Sequence, residues 1–123
     1  MYDREIVLDL LQEAQTALSR IPVRMREIDA PEAFKKTEAG IEKFDAICMV
    51  LLLVGEIVKS IDKKTEGALF SRYPGTNWKG VKGVRDVIAH GYLDLDEVEI
   101  YNICIIEVPA LIEQLDVIIK DLQ

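Results

Sequence analysis

The sequence predicts an all-α protein, an up-down bundle of four or five helices. Three observations point there. Apolar residues recur at helical spacing through long segments, and no stretch shows the alternation of a half-buried strand. Four prolines and seven glycines in 123 residues leave room for long helices. Half of the residues are hydrophobic and 30% are charged, the balance of a chain that folds around a core. The length suits one domain, residues 1–123.

The first helix is expected over Asp3 to Ile21. Ile6, Val7, Leu10, Leu11, Ala14, Ala17, Leu18 and Ile21 form its apolar stripe, with Asp3 as cap and Pro22 as stop or fresh start. Val23 to Asp29 reads as either a short helix or a loop. IDAPEAF then starts a helix, with Asp29 as cap and Pro31 in the first turn. That helix should run to about Asp62 and bend at Gly40. From Phe44 to Ile61 it is apolar on nearly all sides, so it belongs in the centre of a bundle or against a second subunit.

KKTEGALFSRYPGTNW is a connector with a short helix at Thr65 to Phe70 and turn chemistry in YPGTN. Asn77 can cap a helix from Trp78 to about His90, and Gly91 suits a left-handed closing position. A last helix is expected from Asp94–Asp96 to Leu122, bent or broken at Pro109.

Composition excludes several classes. The most apolar run, AICMVLLLVG, is too short to span a bilayer, for which roughly 20 residues are needed. No basic, apolar and small-residue pattern opens the chain, so no secretion signal is expected and the protein reads as cytoplasmic. Cys48 and Cys104 lie in apolar segments and read as buried, reduced thiols. One histidine and no close cysteine pair argue against zinc, and no cofactor is expected. A net charge of −7 opposes non-specific nucleic-acid binding over the whole surface. The charge is uneven, however. Arg72, Lys79, Lys82 and Arg85 face only Asp86 between Phe70 and Gly91, and the first three are candidate RNA contacts. Glu56 is the acid inside the apolar helix, placed either in a dimer cleft or at a solvent edge.

GVRDVIAHGYLDLD holds His90, the chain's one imidazole, with Arg85, Asp86 and Tyr92 close by. Four helical positions come to about 400°, so Asp86 and His90 share a face, and Asp86 can orient the ring. Arg85 is about 140° from His90 and aims elsewhere in one chain. Two facing copies could bring both groups into one cleft. An arginine fork matches phosphate oxygens, and an imidazole moves protons near neutral pH. Together they suit RNA cleavage by its own 2′-OH, with no metal. The plainer reading is a histidine at a helix end beside surface charges, with Tyr92 half-buried as a packing residue.

RDVIAHGY, an arginine, four residues, a histidine, one residue and a tyrosine, resembles the HEPN superfamily and within it the HepT-like group. DAICMVLLLVGEIVKSIDKKT looks like that group's central helix. RYPGTNWKGVKGVRDVIAHGYLDLDEVEIYNIC looks like its signature half. The resemblance implies a HEPN-type homodimer with the motif at the subunit interface and metal-independent endoribonuclease toxin activity. It implies Arg85 and His90 as the catalytic pair and Asp86 in support. It also implies a partner, an antitoxin of the MNT nucleotidyltransferase type, which would add AMP to Tyr92. RNA, as tRNA or mRNA, would be the substrate. Val50 stands where many relatives carry arginine, and Gly91 and Leu93 where they carry bulkier residues. The alternative is a non-catalytic helical partner of a minimal nucleotidyltransferase.

Overall fold

Asp3 opens the first helix. In the computed structural model, which describes residues 2–123, its carboxylate accepts the N–H groups of Glu5 and Ile6. Those donors have no partner inside the helix, so the cap fixes the start. Helix α1 runs Arg4–Leu18 and buries Val7, Leu11, Ala14, Ala17 and Leu18. It ends short of the expected Ile21. Pro22 lacks an N–H, and its ring collides with the carbonyl four residues back, on Leu18. The chain therefore breaks at Ser19 and restarts as α2, Arg20–Arg24, followed by a 3-10 turn at Met25–Glu27.

The expected second helix is two helices. Asp29 does not cap; its backbone carbonyl accepts the Tyr101 hydroxyl at 3.1 Å. Helix α3 is only Ala33–Lys36. Thr37 then turns extended (φ −137°, ψ 160°), and its hydroxyl accepts the Gly40 N–H at 3.0 Å. That cap starts α4, Glu38–Lys64. The break is thus at Thr37, and Gly40 serves another purpose: a Cβ there would overlap the Ala33 carbonyl oxygen. Glycine lets α3 fold tightly onto α4.

Helix α4 is central, as its all-round apolarity requires. It packs on α1 and α3 and on α5, Trp78–Gly91. Ile47, Val50, Val54, Val58 and Ile61 are among its buried residues. Its C-terminus closes with paired bonds, Gly67 N–H to Asp62 O at 2.9 Å and Glu66 N–H to Lys63 O at 3.2 Å. This closure needs a left-handed residue, and Glu66 fills it at φ 52°. The following residues form turns and a 3-10 segment at Phe70–Arg72 rather than the expected helix at Thr65 to Phe70. Trp78 stacks on Phe70 with ring centroids 4.0 Å apart, and its indole N–H donates to the Tyr73 carbonyl at 2.9 Å.

The Asn77 side chain caps α5 by accepting the Gly80 N–H at 2.9 Å. Gly91 does not take the expected left-handed position; its φ is −148°. The chain instead tightens into a 3-10 turn, Tyr92–Asp94. The last helix comes in pieces: α6, Glu97–Asn102, a π turn at Ile103–Glu107, and α7, Val108–Leu122. Pro109 explains the π turn. It cannot donate to Ile105, and the wider turn gives its ring room.

The fold is all-α, and the buried residues of these helices form one contiguous core. Among the described residues no helix is long and apolar enough to cross a membrane. Both cysteines are free and buried, and burial pushes each thiol up to about 12.

Glu66 offers a direct test of the α4 closure. A left-handed backbone costs an L-residue roughly 1–2 kcal/mol. Glycine's looser unfolded chain gives back roughly 0.5–1 kcal/mol of that. Glu66→Gly is therefore expected to stabilise the protein by about 0.5–1 kcal/mol. The urea midpoint should rise with an unchanged slope; an unchanged or lower midpoint would refute the closure as described.

Candidate functional site

The site is built on the seam between α4 and α5. Their partners run in broadly opposite order, Asp62 with Lys82, Lys59 with Asp86 and Glu56 with Arg85, and then Asp45 with Tyr92 just past α5. The helices are thus antiparallel. At Gly55 they come so close that a Cβ would collide with Cβ of Arg85. The arginine stem lies directly on the bare backbone of α4.

That contact fixes where the Arg85 head group goes. Its Nε pairs with Glu56, and its Nη1 donates to Asp86 Oδ1 at 3.0 Å. The Nε atom is buried and meets Glu56 by charge without an aligned hydrogen bond. The side chain is 23% exposed. Asp86 and then Glu56 raise the guanidinium's pKa further, although burial opposes them, so its positive charge is permanent. Asp86 in turn is held below the usual carboxylate range by Arg85 first and Lys59 second.

Asp86 therefore does not orient His90 as the helical spacing suggests. Its Oδ1 also accepts from Lys59 Nζ at 3.3 Å, and two cations attract a carboxylate more strongly than one imidazole does. His90 is exposed near the end of α5, without a hydrogen-bond or ion-pair partner among the described residues. Tyr92 begins the next turn and is 42% exposed. Its hydroxyl donates to Asp45, and that bond, with partial burial, raises its pKa to about 12. Asp45, Met49, Leu52, Ala89 and Tyr92 line one groove. Met49, Val87 and Leu93 lie exposed around this end of α5, Leu93 almost completely at 96%.

The candidate RNA contacts divide. Arg72 and Lys79 are exposed and have no acid within ion-pair distance among the described residues. Lys82 is tied to Asp62 at 2.8 Å. Glu56 lies at the solvent edge of α4 with Arg85 as its counter-charge, which relieves the cost of an acid in that apolar helix. Val50 is buried in the core. Asp45 and Lys59 escape sequence reasoning. They lie 47 and 27 positions from their partners, and neither breaks the local pattern of α4. Among the described residues no three of His, Cys, Asp and Glu gather as they would to hold a metal.

Fold and seam together define an all-α protein that displays a fixed guanidinium and a free imidazole on one helix. The chain belongs to the ribonuclease HepT-like family, which matches residues 14–118 and so takes in the whole seam. Three proteins of Methanocaldococcus jannaschii are similar to it. "Putative RNase MJ0127" is 32% identical over 78 residues, 63% of this chain and 61% of its own. "Putative RNase MJ0125" is 31% identical over 78 residues, again 63% of this chain and 64% of its own. "Putative RNase MJ1216" is 30% identical over 78 residues, with 63% and 61% covered. The chain thus spans about three fifths of the length of these relatives. No solved structure matches it.

Asp45→Asn tests the Tyr92 bond. The Asp45 charge disfavours the phenolate, so removing it should bring the Tyr92 midpoint down from about 12 toward the ordinary 10. The wild-type bond stabilises the fold below the ordinary tyrosine pKa, and that contribution fades as pH rises toward 12. NMR titration of the labelled ring carbon reads the midpoint directly. An unmoved midpoint would show that Asp45 does not hold this hydroxyl.

Proposed function

We propose that the chain is a metal-independent endoribonuclease toxin that acts in the cytoplasm as a homodimer. The observation that carries this reading is the contrast within one family-matched helix. Arg85 is locked and permanently charged on the seam, while His90 stands free at the exposed end. The exposed Met49, Val87 and Leu93 beside them offer apolar area for a second copy. A dimer would let Arg85 and His90 from two subunits meet one phosphodiester.

The chemistry follows from those two groups. Neutral His90 removes the proton from a ribose 2′-OH, and the 2′-oxygen attacks the adjacent phosphorus. Arg85 has five N–H donors; Glu56 and Asp86 face two of its nitrogens and leave hydrogens on Nη1 and Nη2 for phosphate oxygens. They counter the charge that builds up on the phosphorane. The 5′-oxygen leaves with a proton from imidazolium, and a 2′,3′-cyclic phosphate remains. Asp86 supports the reaction through Arg85 rather than through His90.

Tyr92 supplies the control. Its exposed ring is open to a nucleotidyltransferase of the MNT type, which would transfer AMP to the hydroxyl and release pyrophosphate. The added phosphate is anionic and would sit against Asp45, so the bond that holds Tyr92 breaks and the cleft is blocked. A second reading is a non-catalytic partner of that transferase. It is favoured by the carboxylates already facing Arg85 and Lys82 and by the net charge of −7.

Cleavage of single-stranded RNA in EDTA separates the two. The wild type should cut, and His90→Ala should lower the rate roughly 10²–10⁴-fold with its helical signal intact. Undiminished cutting by His90→Ala would remove the mechanism. Mixing with the transferase and ATP should place AMP on Tyr92, read by peptide mass spectrometry, and silence the nuclease. An unmodified Tyr92 would contradict the proposed control.

A further inference from the structure

Residues 20–26 read RIPVRMR, three arginines without an acid in a chain of net charge −7. The seam cations Lys82 and Arg85 meet carboxylates of α4. Arg20, Arg24 and Arg26 differ: among the described residues none forms an ion pair. Arg20 and Arg24 belong to the short α2, four positions apart, and Thr16 precedes them by another four. With Ser19 and Val23 these three line one surface groove.

Arg24 carries a second signal. Its Nη1 is buried and has no hydrogen-bond partner. Buried N–H donors are almost always paired, and this one is closed to solvent, so the rest of the Arg24 guanidinium is what remains to meet an acceptor from outside the chain. A guanidinium cannot shed its proton to relieve the cost. Two uncompensated guanidiniums, two hydroxyls and an exposed valine make a groove for an anion that also carries apolar surface. A phosphodiester chain with its riboses fits that description.

We propose that the Arg20–Arg24 groove binds the RNA backbone at a phosphate away from the scissile one. This rests on the ribonuclease reading for its substrate, though the groove itself does not depend on catalysis. Neighbouring residues of α4 link the two sites. Arg20 lines a neighbouring groove with Leu53. Leu52 and Met49, beside it and one turn back, line the groove that reaches Ala89 and Tyr92. One turn of helix is only about 5.4 Å. An RNA strand gripped at α2 would therefore cross α4 toward the catalytic end of α5. The groove also helps a chain this acidic to hold a polyanion: it adds two unpaired arginines, while two of the four bases in the Phe70–Gly91 strip are neutralised.

The experiment uses fluorescein-labelled single-stranded RNA with 2′-O-methyl groups, which cannot be cleaved, and reads anisotropy over a salt series. Arg20→Gln/Arg24→Gln should weaken binding about tenfold at moderate salt. Its plot of log affinity against log salt should flatten by about 1.4, two contacts at about 0.7 each. Arg4→Gln/Lys36→Gln removes equal charge from exposed sites elsewhere and should keep the wild-type slope. Far-UV circular dichroism checks that both variants fold; a misfolded double variant is replaced by Arg20→Gln alone, expected to flatten the slope by about 0.7. Equal slopes for the groove variant and the wild type overturn the proposal, and cleavage of unmodified RNA by the wild type in that case leaves the nuclease reading standing. Failure of the wild type to bind the RNA also overturns it. Arginine-dependent binding of this RNA, with no cleavage of the unmodified RNA by the wild type in EDTA, supports the groove and removes the nuclease reading instead.

Discussion

The bare backbone of α4 at Gly55 is the constraint on which the site depends. Arg85 lies across it, and any side chain there would push α5 away. The seam charges do not hold the helices together. Glu56, Lys59 and Asp86 are about half exposed, and exposed ion pairs contribute only about 0–1 kcal/mol each. Burial of Ile47, Val54, Val58, Ile61, Ile88 and their neighbours supplies the cohesion, at about 25 cal/mol per Å² of apolar area. The charges instead set register. A slip of α5 by one turn would part Lys82 from Asp62 and Arg85 from Glu56 together.

That arrangement shapes the chemistry available to the protein. A guanidinium already facing Glu56 and Asp86 attracts RNA weakly, but its head group is oriented before substrate arrives. Orientation without later reorganisation is what favours a transition state over a ground state. In the proposed mechanism, affinity then has to come from elsewhere on the surface, and the unpaired arginines of α2 are the natural source. His90 has no such tether, which leaves its ring free to meet a 2′-OH contributed by the substrate.

Much of this is legible in the sequence, for physical reasons that differ by element. The all-α class, the central place of α4 and the caps at Asp3 and Asn77 follow from periodicity and from local side-chain bonds. The helix breaks at Ser19 and Thr37 and the π turn before Pro109 are harder. Each depends on where a proline ring or a packed neighbour must fit, which only the folded path decides. Gly91 misleads because glycine permits a left-handed position without requiring one. In the site, Arg85, Asp86, His90 and Tyr92 are conspicuous by type and spacing. Their partners Glu56, Lys59 and Asp45 come from another helix, so nothing near the motif announces them. Asp86 shows the cost of local reasoning: the geometry that puts it on His90's face is sound, but two cations claim it, its neighbour Arg85 and Lys59 of α4.

The proposed mechanism turns on where a substrate phosphate settles. A crystal structure with a 2′-O-methyl RNA bound would show it. The account places one phosphate within hydrogen-bond reach of an Arg85 guanidinium and a His90 ring at the same time. A bound RNA whose phosphates all lie away from Arg85, with that side chain still closed onto Glu56, would contradict it.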